Sequence, residues 1–150
     1  MRYVFAIAVA LLTACAPAPP PAESSKPDAT TEAWYGQTVA QLAAMNREAE
    51  SLFQRGKSDE AAAVITQGEP VSKRLLAVPH PTLAATEAAS DLDQLYGQML
   101  LANRNYGWAR LLFQKNLARW KSWKPQTPET ARRLQLADAA IAECDRHIAE

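Results

Sequence analysis

Apolar residues recur every three to four positions in five stretches of this chain, the spacing that gathers them on one face of a helix. The clearest stretch is 91–121, where two such patterns meet across a polar turn. In the first, Leu92, Leu95 with Tyr96, and Met99 share a face; in the second, Tyr106, Ala109, Phe113, Leu117 and Trp120 do so. Between them stands Asn103-Arg104-Asn105. Asparagine is the residue other than glycine that best tolerates a left-handed helix end. The stretch therefore predicts two antiparallel helices joined by a tight turn in which an asparagine reverses the chain.

The flanking segments repeat the theme. Residues 32–55 form one long helix with Tyr35, Val39, Leu42, Met45, Ala49 and Leu52 inward. Gly56 supplies its left-handed end, and Ser58 caps a second helix whose first turn carries Asp59 and Glu60. That helix turns Ala61, Val64 and Ile65 inward and meets Gly68-Glu69-Pro70, where a proline lacking its amide proton predicts a kink or restart. Val78-Pro79-His80-Pro81 ends it, and a third helix covers 82–103. After the 91–121 hairpin, Thr127-Pro128-Glu129 provides a cap, a proline for the first helical position and an acid for the positive helix end. The last helix carries Leu134, Ala137, Ile141, Cys144 and Ile148 as one stripe, suited to covering the preceding hairpin as a cap. The expectation is one all-α domain over 32–150, a five-helix antiparallel hairpin array with no strand.

The spacing Gly97-x2-Leu100-x5-Tyr106-x2-Ala109-x3-Phe113 resembles the tetratricopeptide repeat in its small residue, its turn aromatic and the Ala and Phe of its second helix. The earlier hairpin offers Ala49, Leu52, Gly56, Ala61, Ile65 and Gly68 to the same pattern. Asp93 replaces the usual Trp, Arg104 a turn Gly, Ser58 the aromatic, and no closing Pro follows. A generic helical hairpin also needs small residues where helices cross. Ala61 and Ala109 hold equivalent places 48 residues apart, well beyond the repeat's period of about 34. The resemblance implies a peptide-binding concave face formed by the first helix of each hairpin. Matched to its groove positions are Asn46, Glu50 and Phe53 on one hairpin and Gln94, Gln98 and Leu101 on the other.

The first 31 residues follow a different logic. One positive charge at Arg2 precedes the nine-residue apolar run 4–12 and then Leu12-Thr13-Ala14-Cys15. Nine residues are too few to span a bilayer core about 30 Å thick, so residues 1–14 read as a cleaved export signal. The ending resembles the lipobox of bacterial lipoproteins, which implies acylation of Cys15, a diacylglyceryl thioether joined by an amide-linked chain such as palmitate. Several acyl chains make such an anchor effectively permanent. Ala16 rather than Asp after the cysteine implies, by the same resemblance, an outer-membrane protein facing the periplasm. Residues 16–31 hold five of the ten prolines and no large apolar side chain, so 15–31 reads as a lipidated extended tether.

No nucleophile elbow, phosphate loop or histidine cluster appears, and no cofactor motif. Cys144 and His147 lie three apart on a helix, but Cys144 falls in the apolar stripe and reads as a buried free thiol. Glu48, Glu50, Asp91 and Asp93 read as a solvated face rather than paired catalytic acids. Sixteen basic and sixteen acidic residues cancel, yet 104–133 carries eight bases against one acid, Glu129. Within it Trp108, Leu112, Lys115 and Arg119 form a row that either meets an anionic partner or is where the last helix docks. Export argues against nucleic acid. The expected function is a membrane-anchored, non-catalytic protein-binding or envelope-assembly module; the alternatives are a small hydrolase acting on cell-wall material and a passive spacer.

Overall fold

The structure, a computed structural model, describes residues 28–150. The expected export signal, Cys15 and most of the expected tether lie outside the described residues. The last tether residues are ordered into a 3-10 turn, Ala29–Thr31, capped by the Asp28 carboxylate, which accepts from the Thr30 amide. Five helices follow: α1 (Ala33–Gln54), α2 (Ser58–Leu76), α3 (Leu83–Ala102), α4 (Tyr106–Ser122) and α5 (Pro128–Ala149). The all-α expectation holds, with each boundary within a residue or two of the sequence reading. Each helix packs antiparallel to the next, and α3 lies at the centre, touching α1, α2 and α4.

The α1 stripe is buried as its spacing requires, with Tyr35, Leu42, Ala49 and Leu52 between 0% and 8% exposed. The Tyr35 hydroxyl donates to the Leu75 carbonyl (3.3 Å) and accepts from the Thr82 amide (3.2 Å). One side chain thus ties the start of α1 to the end of α2 and the start of α3. A first core cluster fills the space between these three helices; a second, built on Ala109, Phe113 and Cys144 with Leu100, Leu101, Ala140 and Ile141 against it, joins α3, α4 and α5. The α5 helix caps α4 as expected, started by reciprocal Thr127 and Thr130 hydrogen bonds. Its stripe is covered only in part: Ala137 and Cys144 are buried, whereas Ile148 is 54% exposed near the chain end.

Both hairpin turns share one geometry, 48 residues apart. Gly56 has φ +75°, with the Lys57 amide donating to Leu52 O (3.0 Å) and the Gly56 amide to Phe53 O (2.9 Å). Arg104 has φ +62°, with the Asn105 amide donating to Leu100 O (2.8 Å) and the Arg104 amide to Leu101 O (3.0 Å). This is the Schellman closure. The residue that reverses the chain is therefore Arg104, not either asparagine. The docking of Leu100 and Leu101 against the second core cluster sets where α3 must stop, and position 104 takes the left-handed turn whatever residue it holds.

The expected break at Gly68-Glu69-Pro70 does not occur, and α2 runs unbroken through Pro70. Pro70 and Thr66, the residue whose carbonyl loses its partner, both lie on the exposed side of the helix, where the carbonyl is open to water. Gly68 has a packing role instead. A Cβ there would lie 3.0 Å from a Leu92 methyl, so its absence lets α2 cross α3 closely.

Candidate functional site

The central position of α3 divides the surface into an inner side, formed with α1 and α5, and an outer side, formed with α2 and α4. On the inner side a cleft of about 270 Å³ separates α1 from α3. It is lined by Asn46, Arg47 and Glu50 from α1 and by Asp91, Gln94 and Gln98 from α3. A second depression shares Asp91 and Gln94 and continues to Arg132, Arg133 and Leu136 of α5. The two form one trough across the inner side.

Four residues expected in a groove, Asn46, Glu50, Gln94 and Gln98, are therefore brought together, and two are not. Phe53 is half-buried against the first core cluster, and Leu101 packs against the second. Sequence reasoning assigned Arg47, Arg132 and Arg133 no place here, and read Asp91 only as a solvated acid. The signal for Asp91 was its spacing, three before Gln94 and seven before Gln98.

Asn46 is only 9% exposed. Its Nδ2 donates to the Ala88 carbonyl (2.7 Å), which fixes the amide's orientation, and Oδ1 has no hydrogen-bond partner. A buried acceptor left unpaired costs about 1–3 kcal/mol. At the α5 end, Arg133 donates to Asp91 (2.6 Å) and to Glu129 (2.9 Å), lies 3.9 Å from Glu87, and covers the Trp120 ring at 5.3 Å. Burial alone would weaken the Arg133 charge, but the Asp91 hydrogen bond and the surrounding carboxylates raise its pKa above the ordinary value. Glu129, held by hydrogen bonds from Arg132 and by both arginine charges, is lowered to about 2.

The basic row on the outer side is not one surface. Asp93, expected on a solvated face, is 7% exposed and is gripped by Lys115 Nζ (2.8 Å) and Arg119 Nη2 (2.8 Å). Arg119 also donates to Asn116, whose Nδ2 reaches the Ser90 carbonyl (3.0 Å), and Trp120 donates to the Ser90 hydroxyl (2.9 Å). Lys115 and Arg119 thus staple α4 to α3, and that role leaves the Arg119 side chain only 11% exposed. Nor does α5 dock on the row, because Trp108 remains 69% exposed. Trp108 instead stands with Tyr96, Leu100, Leu111 and Leu112 along a shallow apolar trough near the 103–105 turn, with Lys115 at its rim.

Cys144 is fully buried, and burial pushes its thiol pKa up. His147 stacks on Tyr106 at 4.6 Å between ring centres, beside Glu143. Among the described residues no three His, Cys, Asp or Glu side chains are grouped as metal ligands, and no helix is long and apolar enough to cross a membrane.

The fold and the trough define a helical hairpin array with a polar, amide-lined inner side. Comparison with known protein families, with curated proteins and with solved structures finds no match.

Proposed function

We propose that this chain is a lipid-anchored envelope protein that holds an extended segment of a partner protein in the cleft between α1 and α3. The carrying observation is the cleft itself, which sets the amides of Gln94 and Gln98, engaged in no hydrogen bond among the described residues, opposite Arg47 and Glu50 of α1. Such amides both donate and accept, which matches the N–H and C=O groups along the backbone of an extended segment. Arg47 and Glu50 on the α1 wall select the charge of its side chains. Binding is non-catalytic: Asp91 is engaged by Arg133, so the cleft presents Glu50 without a paired acid.

The Cys15 anchor places the cleft at a membrane surface, most simply the periplasmic side of an outer membrane. Selection of a random peptide library on the full chain tests the reading. Enriched peptides should lose binding about tenfold or more when Gln94 and Gln98 are changed to Ala, since one or two hydrogen bonds are removed. Peptides that bind the variant as well as the parent would refute the cleft as the site. Mass analysis of the mature amino terminus tests the anchor separately.

A further inference from the structure

Most cations of the basic stretch are consumed inside the fold. Arg110 pairs with Asp145, Lys115 and Arg119 with Asp93, Arg132 with Glu129, and Arg133 with Asp91. Arg104 on the 103–105 turn, Lys121 and Lys124 are left with no carboxylate partner among the described residues, and all three are exposed; the two lysines stand together. They lie at the end of the array where α4 stops. Because successive helices run antiparallel, the same end holds the start of α1 and the close of α2. There Lys73 and Arg74 are likewise exposed and without a carboxylate partner, and the Arg74 guanidinium sits 4.5 Å over the Trp34 ring.

Trp34 and Trp123 are half-buried at this end, so each shows part of an indole beside these cations. Leu83 is 38% exposed there. The carboxylates that face the same end are largely engaged. Glu87 and Glu129 serve Arg133, Glu32 accepts from the Trp34 indole (2.8 Å), and Asp28 caps its own turn; Glu69 lies two turns further down α2. Cations in the last turns of α2 and α4 also complement those helix ends, which explains the lysines but neither the indoles nor Leu83.

The described chain begins at this end too, at Asp28. Cys15 is thirteen residues earlier, a reach of at most about 45 Å. The helices are about 30 Å long, so the far turns need about 30 Å more tether extension than this end to meet the bilayer that holds Cys15. We infer that the end carrying Trp34, Arg74, Lys73, Lys121, Lys124 and Trp123 rests on anionic lipid headgroups, so that the array stands end-on with its 55–57 and 103–105 turns pointing away. Lysine and arginine gain from a negative leaflet, and indoles settle at the headgroup level. The inner cleft then runs perpendicular to the membrane, open to a partner approaching from the side. The inference rests on the lipid anchor proposed above.

The test uses the full lipidated chain, with Cys144 changed to Ala, reconstituted in vesicles of phosphatidylcholine alone or mixed with phosphatidylglycerol. A nitroxide is placed on a single cysteine at Leu83 or Lys121, or at Lys57 or Asn103 on the far turns, all exposed positions. The ratio of accessibility to oxygen over a water-soluble nickel complex should be about threefold higher at Leu83 and Lys121 than at the far turns in the anionic vesicles. At Leu83 it should fall to the far-turn value when Lys73, Lys121 and Lys124 are all changed to Gln. Protein that stays on the vesicles with equal ratios at both ends overturns the docking and leaves the anchor standing. So does a ratio at Leu83 that ignores the three charges. Protein that does not stay on the vesicles overturns both.

Discussion

Gly97 marks the place where α3 and α4 approach most closely, and adding one methyl there tests the packing of the whole hairpin. A Cβ at Gly97 would lie 2.5 Å and 2.7 Å from two carbons of the Phe113 ring and 3.1 Å from a third. Carbon atoms at ordinary contact stand about 3.5–4.0 Å apart, so the ring must retreat by roughly 1 Å. It has little room to do so, because Phe113 is fully buried in the second core cluster against α5. Overpacking of this kind costs about 1–3 kcal/mol. Against it stands the gain of about 1 kcal/mol from replacing glycine inside a helix. The net for Gly97→Ala is a loss of about 0–2 kcal/mol, centred near 1, or roughly 4 °C in Tm for a domain of this size. Urea unfolding followed by circular dichroism measures it. Combining Gly97→Ala with Phe113→Leu should recover about 1 kcal/mol relative to the sum of the single losses, since the removed ring carbons are those the methyl strikes. A Gly97→Ala protein more stable than the parent, or strict additivity in the pair, would refute the close crossing.

Other perturbations address separate parts of the fold. Arg104→Gly should stabilise by about 0.5–1 kcal/mol by removing the cost of a side chain at φ +62°, whereas Gly56→Ala should cost about 1 kcal/mol at the equivalent turn; a reversed order of stabilities in thermal unfolding would contradict the shared geometry. Arg119→Met should cost about 2–4 kcal/mol by leaving Asp93 with Lys115 alone, and adding Asp93→Leu should restore most of that loss; calorimetry of the pair shows whether the ion network is coupled. Glu129 has a depressed pKa, about 2 against an ordinary 4.5, so its contribution is present above pH 4.5 and lost as pH falls toward 2. Glu129→Gln should flatten that part of the acid limb, and an unchanged acid limb would show the contacts contribute nothing. Cys144 should resist thiol reagents in the native protein and react once urea opens the fold; prompt labelling under native conditions would mean α5 does not stay packed on α4.

The helices were legible because their apolar spacing and caps agreed, as at Thr127-Pro128 and Gly56. Two local signals misled for the same reason: a tertiary constraint outweighed the residue's own preference. Pro70 sits where the carbonyl it orphans can meet water, so a residue that usually breaks helices does not. Arg104 turns left-handed because the packing of Leu100 and Leu101 decides where α3 ends, although asparagine stood on either side. The basic row failed differently. A helix projection places Lys115 and Arg119 on one face but says nothing of a carboxylate on another helix, and Asp93 captures both. Phe53 and Leu101 were misplaced because groove positions taken from a repeat of about 34 residues were laid on helices of 22 and 20 residues, where the core reaches further along each helix.

The inner cleft follows from the same crowding. With neighbours on three sides, α3 buries almost everything it has, and between Ala85 and Leu101 only Asp91 and Gln98 are exposed. Together with the half-buried Glu87 and Gln94 they form a polar stripe spaced by four, three and four residues. On a peripheral helix such a stripe is merely the side that meets solvent. On the central helix of an array it becomes the floor of a cleft, because the helices on either side rise above it. Glu87 and Asp91 are drawn toward α5 by Arg133, which closes that end, while Gln94 and Gln98 stay uncommitted opposite Asn46 and Glu50. The uncommitted part of the stripe is therefore the part facing α1, where the one buried side-chain acceptor without a partner among the described residues also stands.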